Sequence, residues 1–225
     1  MKIALISDVH ANLIALKAVL EDMEGRDVGE IISAGDVVGY YPFPNETIAL
    51  FRDRAIISIQ GNHDRAVLSA GDPHMNPWAN SAVSWTLAQL SESSVEYIRA
   101  MPRHRSMSIG GTSIAMYHGA PFDDDYYLFE EEATEEVLQS TGCSLLVLGH
   151  THIPFIKRYR SGMIVNPGSI GQPRDGDPDS SYAIYDTETR KAFLLRVPYD
   201  IRAVAEKTIK AGLSSSLANR LYVGH

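Results

Sequence analysis

One cysteine in 225 residues, Cys143, leaves no partner for an intrachain disulfide and no thiolate set for a structural zinc site. It fits a reducing compartment, and its place before Leu145-Leu146-Val147-Leu148 reads as that of an inert small hydrophobe beside a buried strand. No apolar run approaches the ~20 residues that cross a bilayer. The opening Met1-Lys2-Ile3-Ala4-Leu5-Ile6 stops at Ser7-Asp8, short of the about 7–15 apolar residues of a secretory core. These absences lead us to expect a cytoplasmic protein that does not engage membranes. Basic residues are outnumbered 20 to 28, for a formal net charge of -8. That balance argues against extended contact with nucleic acid backbone, which Lys and Arg drive. Low-complexity tracts and internal repeats are missing too, so the length reads as one domain over residues 1–225.

What is there begins with a repeated unit. Ile3 to Ile6 reads as a strand buried on both faces, with Asp8-x-His10 at its end and a helix capped by Asn12 behind it, its apolar residues Leu13, Leu16, Leu20 and Met23 at helical spacing. Glu30 to Ala34 is a second strand, closed by Gly35-Asp36, with a helix expected over Asn45 to Arg52. Ala55 to Ile59 is a third, closed by Gly61-Asn62-His63-Asp64, where the glycine is expected to let the backbone turn. Three successive strands deliver polar side chains from one edge, where open α/β sheets place their sites.

Residues 65–101 read as a mainly helical lid or flank, with Trp78, Ala82, Trp85 and Leu90 as its apolar side and a capping box at Ser93 to Glu96. From Arg103 the period becomes two. Arg105 to Ile109 and Thr112 to Tyr117 flank Gly110-Gly111, a hairpin signal, and the second strand runs into His118-Gly119. A helix over Glu131 to Gln139 precedes the strand at Leu145, which ends in Gly149-His150-Thr151-His152. Four antiparallel strands between Phe155 and Val197, a helix from Ile201 to Ala211 and a partly mobile tail to His225 complete the chain. The clusters Asp123 to Asp125 and Glu130 to Glu132 read as a solvated acidic face.

Asp8, His10, Asp36, Asn62, His118, His150 and His152 stand at the strand ends. These oxygen and nitrogen donors suit manganese, iron, zinc or nickel, and they outnumber what one tetrahedral ion uses. Two cations about 3.5–4 Å apart can hold both ends of an in-line displacement at phosphorus.

In this order, Asp8-x-His10, Gly35-Asp36, Gly61-Asn62-His63-Asp64, His118 and Gly149-His150-x-His152 resemble the motifs of the calcineurin-like metallophosphoesterase superfamily. The Asn166-Pro167-Gly168-Ser169 loop extends the likeness. The resemblance implies an α/β fold, a four-layer α/β/β/α sandwich of two mixed sheets flanked by helices. It implies a first metal on Asp8, His10 and His152, a second on Asn62, His118 and His150, and Asp36 as the bridge. It gives His63 the role of supporting the departing oxygen and Asp64 that of orienting His63. The implied reaction is hydrolysis of a small phosphodiester or nucleotide by a hydroxide shared between the metals. A phosphomonoesterase and a non-catalytic protein-binding scaffold are the alternatives, and the chain is compatible with homo-oligomerisation.

Departures narrow the choice. Val37-Val38-Gly39-Tyr40 and Asp64 stand where protein serine/threonine phosphatases of the superfamily carry arginine and glutamate. Gly39-Tyr40 and Gln172-Pro173-Arg174-Asp175-Gly176 look like the small prokaryotic phosphodiesterase branch, some of whose members split dinucleoside polyphosphates. Tyr41 replaces a glycine frequent there. Tyr40 and Tyr41 could stack on a base or simply pack at a loop edge. Arg174 could meet a phosphate or pair with Asp175 or Asp177. Asn166 and Gly168 read as tight-turn residues, and His74, His104 and His225 belong to no motif.

Overall fold

The apolar run behind Met1 forms β1 (Lys2–Ile6), whose side chains divide between two environments. Ala4 and Ile6 share a core with Leu16, Val19 and Leu20 of α1 (Leu13–Met23), while Ile3 and Leu5 face Ile114, Leu145 and Val147 of a second sheet. Alternate residues of a strand point to opposite faces, so a strand covered on both sides is apolar throughout. The structure, a computed structural model, describes residues 1–73 and 75–225; His74 lies outside the described residues. The cap of α1 is the expected one, Asn12 Oδ1 accepting from Ala15 N at 3.1 Å.

After β2 (Val28–Ser33) and α2 (Pro44–Asp53), the third strand is shorter than the sequence suggests. Only β3 (Ile57–Ser58) pairs with β2, because Ala55 at φ 51° finishes the turn off α2 and Ile56 N still donates to Phe51 O. Helices α3 (Asn62–Leu68), α4 (Pro77–Gln89) and α5 (Glu92–Ala100) fill the flank. Two expectations there fail. The cap of α5 is Ser91, whose hydroxyl accepts from Ser94 N at 3.2 Å, not a box at Ser93 to Glu96. The buried stripe of α4 is Ala79, Ala82, Val83 and Thr86. Trp78 stands one residue, about 100°, off that stripe and is 60% exposed.

The hairpin of β4 (His104–Ile109) and β5 (Thr112–Tyr117) turns on Gly110 and Gly111 at φ 54° and 76°, the positive pair that a two-residue turn needs. The acidic helix starts late. Glu130–Glu132 is a separate 3₁₀ turn, and α6 (Glu135–Ser140) follows only after Ala133 leaves helical geometry at ψ 81°. Next come β6 (Leu145–Val147), β7 (Phe155–Arg158), β8 (Met163–Asn166), β9 (Ser180–Asp186), β10 (Lys191–Val197), α7 (Ile201–Lys210) and α8 (Ser215–Asn219).

Two five-stranded mixed sheets result, in the orders β10-β9-β1-β2-β3 and β4-β5-β6-β8-β7. Their inner faces meet through Ile3, Leu5, Ile32, Met116 and Val165, and helices cover the outer faces, α1 and α2 on one and α6 on the other. This is the α/β/β/α sandwich. β1, β2, β3, β5 and β6 all end at one rim. No described helix is long and apolar enough to cross a membrane.

The tail expected to be partly mobile contributes buried leucines, while Tyr222 and Val223 stay exposed. Leu213 ahead of α8, Leu217 within it and Leu221 in the 3₁₀ turn after it, spaced four apart, join a core shared with Tyr40, Tyr41, Ala82 and Val204. The run Ser214-Ser215-Ser216 masks that spacing. Tyr41 is sealed there, donating from its hydroxyl to Leu217 O at 3.2 Å, and cannot stack on a ligand. Leu221→Ala is expected to lower the unfolding free energy by about 2–4 kcal/mol in urea denaturation. An unchanged midpoint would mean that the tail does not belong to the core.

Candidate metal centre

Past the last residues of β1 and β2 the two loops keep pairing. Asp8 N, His10 N and Ala11 N donate to Gly35 O, Asp36 O and Val37 O at 3.0, 2.9 and 2.9 Å. The chain manages this by turning left-handed at non-glycine residues: φ is 54° at Asp8, 51° at His10 and 53° at Asp36, and 67° and 60° at His150 and His152. Each such residue costs of order ~1–3 kcal/mol, a strain that persists only where the surroundings over-determine it.

The seven expected ligand residues converge. Asp8, His10, Asp36 and His152 each offer a donor atom within 4.8 Å of the others, all buried. Asp8 Oδ1 lies 3.3 Å from His152 Nε2 and 3.8 Å from His10 Nε2, and it has no hydrogen-bond partner among the described residues. Its Oδ2 accepts from His150 N at 3.1 Å. Asp36 divides its carboxylate. Oδ1 accepts from His63 N at 2.9 Å, while Oδ2 stands 3.5 Å from His10 Nε2 and 3.4 Å from His118 Nε2. Beyond it, His118 Nε2 is 3.0 Å from Asn62 Oδ1, and the His118 and His150 rings are 4.9 Å apart.

Tautomers decide what these approaches mean. His118 Nδ1 lies 2.8 Å from Ala34 O and His152 Nδ1 2.6 Å from Gln172 O. A carbonyl cannot donate, so both Nδ1 atoms carry the hydrogen and a neutral ring presents a lone pair at Nε2. Those lone pairs face Asp8 Oδ1, Asp36 Oδ2 and Asn62 Oδ1, all acceptors. Acceptors so close repel unless a positive charge lies among them, and a ligand imidazole whose other nitrogen donates to a carbonyl is the usual support of a metal site. The residues fit divalent cations.

Charge tells the same story. Burial pushes Asp8 up to about 7, with His118 opposing and Asp36 adding to the rise. Burial would depress His118, but the charge and hydrogen bond of Asp36, aided by Asp8, carry it up to about 9. Burial would raise Asp36 too, and His118, His63 and His10 outweigh it, so Asp36 stays well below the usual carboxylate range. Burial holds His63 at about 4 and His150 at about 3. The pocket therefore demands positive charge, from a proton on His118 or from cations.

Two readings of Gly61-Asn62-His63-Asp64 are corrected. Gly61 is at φ -89°, ordinary for any residue; a Cβ there would fall 2.0 Å from Asp36 Oδ1, so close approach to that carboxylate requires the glycine. Asp64 does not orient His63. Its carboxylate accepts from Gly61 N, Val38 N and Val37 N at 2.9, 3.1 and 3.2 Å, tying the second and third strand-end loops together. His63 Nδ1 is buried without a partner among the described residues.

A cleft of about 350 Å³ opens beside the cluster, lined by Tyr40, Asn62, His63, Asn76, Tyr127 and His150 among others. Tyr40 packs its ring 4.6 Å from His10 and 4.4 Å from His63. Arg174 pairs with neither acidic neighbour. It donates to Gln172 Oε1 at 3.0 Å and approaches Tyr40 OH at 3.4 Å, while Asp175 and Asp177 pair with Arg196. Three contributors escape the sequence reading. Tyr127 stacks on His150 at 3.8 Å, Asp125 O accepts from His150 Nε2 at 3.0 Å, and Gln172 joins His152, Arg174 and Tyr41. Asp125, expected on a solvated face, also pairs with Arg65. Only the Gln172-Pro173-Arg174 motif gave a signal; the rest is long-range. Asn166 makes the expected turn bond to Gly168 N and also donates to Gly149 O, bracing the His150 loop.

The sequence profile of the calcineurin-like phosphoesterase superfamily domain matches residues 1–190. An uncharacterised protein of Methanocaldococcus jannaschii is 34% identical over 240 residues, 99% of this chain and 98% of that one. The crystal structure of a metallophosphoesterase from Sphaerobacter thermophilus is 36% identical and superposes with a TM-score of 0.85 over 100% of both chains. Phosphodiesterase YfcE of Escherichia coli is 24% identical over 217 residues, 91% of this chain and 98% of that one.

Removing the Asp64 carboxylate leaves three buried N–H groups unmatched at ~1–3 kcal/mol each. Asp64→Ala is therefore expected to lose about 3 kcal/mol or more in denaturant unfolding and to bind manganese more weakly in calorimetric titration. Full stability with a loss of turnover alone would return Asp64 to a role on His63.

Proposed function

The chain belongs to the calcineurin-like phosphoesterase superfamily, a family of metal-dependent phosphoester hydrolases, and from that premise we propose that it cleaves a small phosphodiester or nucleotide with two divalent cations. The observation that carries this reading is the buried convergence of imidazole nitrogens and oxygen acceptors around Asp8 Oδ1 and Asp36 Oδ2. Asp8, His10 and His152 would hold the first cation, Asn62, His118 and His150 the second, and Asp36 would serve both. Manganese, iron, zinc and nickel all suit such donors. When bound, the cations lower the pKa of water and neutralise charge developing at phosphorus.

The remaining work falls to the chain. His63 is neutral at pH 7, held there by burial, and with Nδ1 buried its Nε2 is the nitrogen left for the cleft. A hydrogen bond donated from Nε2–H to the departing oxygen stabilises the charge that gathers as its bond to phosphorus breaks. Arg174 brings a fixed positive charge beside the cluster for a phosphoryl oxygen. Tyr40 and Tyr127 wall the cleft and favour a small substrate with an apolar or planar group. The name of the Escherichia coli relative, a phosphodiesterase, supports a diester. We also infer one domain over residues 1–225, since the tail shares the core of Tyr40 and Tyr41, and a cytoplasmic site of action.

Manganese-loaded protein is expected to hydrolyse bis-p-nitrophenyl phosphate faster than p-nitrophenyl phosphate, to lose activity with chelator and to regain it on adding manganese. Equal rates with and without chelator would remove the metals from the scheme. His63→Ala should keep its metal content and lose about 10²-fold in kcat on an ester with a poor leaving group, and less on a p-nitrophenyl ester. Unchanged kcat on both would take His63 out of the reaction.

A further inference from the structure

His150 carries the opposite tautomer from the other two imidazoles that bond to carbonyls. Its Nε2 lies 3.0 Å from Asp125 O, and since a carbonyl only accepts, the hydrogen sits on Nε2 and a neutral ring keeps its lone pair at Nδ1. His118 and His152, with their hydrogens on Nδ1, present Nε2 instead. A cation can therefore meet His150 only at Nδ1, and the segment over residues 120–127 holds the ring for it. That segment folds back on itself. Ala120 N donates to Asp123 O at 2.8 Å and Asp123 N to Ala120 O at 3.2 Å, and a Cβ on Gly119 would fall 2.5 Å from Asp124 O. Tyr127 then lays its ring 3.8 Å from that of His150, 28° from parallel.

Arg65 fastens this segment to the rim. One guanidinium nitrogen pairs with Asp125 Oδ1, and another donates at 3.4 Å to Gln60 O, just ahead of Gly61 and Asn62. The Arg65 side chain is 14% exposed, against 65% for Arg103 in its pair with Asp124, and an open pair of that second kind holds little. One guanidinium thus ties the backbone beside Asn62 to the residue whose carbonyl holds His150. Asn62 and His150 are two of the three residues assigned to the second cation alone. His152, assigned to the first, leans on Gln172 O.

We infer that Arg65 is a positioning residue, which through Asp125 fixes the ring of His150 and with it the place of the second cation, leaving the first cation to its own supports. The inference rests on the two-cation reading and adds to it a residue to which the motifs give no role. Losing the outer partner of a metal-binding imidazole typically weakens metal affinity by about 10–100-fold. Here that loss should fall on one cation of the pair.

The test is calorimetric titration of the full chain with manganese, the second binding step being identified as the one that His150→Ala abolishes. Arg65→Ala should weaken that step about tenfold or more and leave the first within about twofold. Asp125→Asn keeps the main-chain carbonyl and removes the charge at an exposed position, so it carries the test should Arg65→Ala fail to fold, and it should give the same selective loss. The double variant should be no weaker than either single one, because both break the same contact, and Arg65→Lys should recover part of the affinity. In electron paramagnetic resonance the signal of a coupled manganese pair should give way to that of isolated ions. Equal weakening of both steps, or of neither, would overturn the inference. If the wild type took up one manganese or none, the two-cation reading would fail, and proton NMR of the metal-free protein would decide the role of Arg65. A slowly exchanging His150 Nε2–H in the wild type that is lost in Arg65→Ala would support it; the same signal in both, or none in the wild type, would overturn it.

Discussion

A buried cluster of imidazole nitrogens and carboxylate oxygens that demands positive charge dominates this molecule. His118 and His152 give their Nδ1 hydrogens to main-chain carbonyls and turn Nε2 toward the oxygens of Asp8, Asp36 and Asn62. Desolvation makes that convergence costly, and only added positive charge relieves it. The protein holds it through backbone geometry. Five of the seven candidate ligand residues sit at left-handed φ, in loops that bond to one another beyond the sheet. Asp64 clamps two of those loops, and Asn166 and Ser169 brace the others.

The sandwich makes such loops affordable. Strands covered on both faces are apolar to their tips, so the first polar residues of each chain segment emerge together at the rim. Because β1, β2 and β3 belong to one sheet and β5 and β6 to the other, the centre straddles the seam, with Asp36 between donors of both sheets. The packing that joins the sheets therefore also sets the spacing of the candidate ligands.

The corrections have one cause. Asp64 follows His63 in sequence and invites a pairing between neighbours, yet a helical start turns the two side chains apart and gives Asp64 to the backbone of residues 37, 38 and 61. Trp78 reads as core from its hydrophobicity but misses the stripe of α4 by one position. The tail reads as polar from its serines, while leucines four apart bind it beneath Tyr41. In each case a local cue competed with a contact made far along the chain.

By itself the sequence determined which strands are buried, where they end and which oxygen and nitrogen donors stand at those ends, because apolar periodicity and residue chemistry are local properties. It also carried the family through five ordered motifs. Only the tertiary structure decided that Asp64 braces loops, that Gln172 and the Asp125 carbonyl orient His152 and His150, and that Arg65 pairs with Asp125. Those relations join residues separated by tens to more than a hundred positions. A one-dimensional pattern holds no term for them, since they arise when two sheets pack and bring distant loops within hydrogen-bond reach.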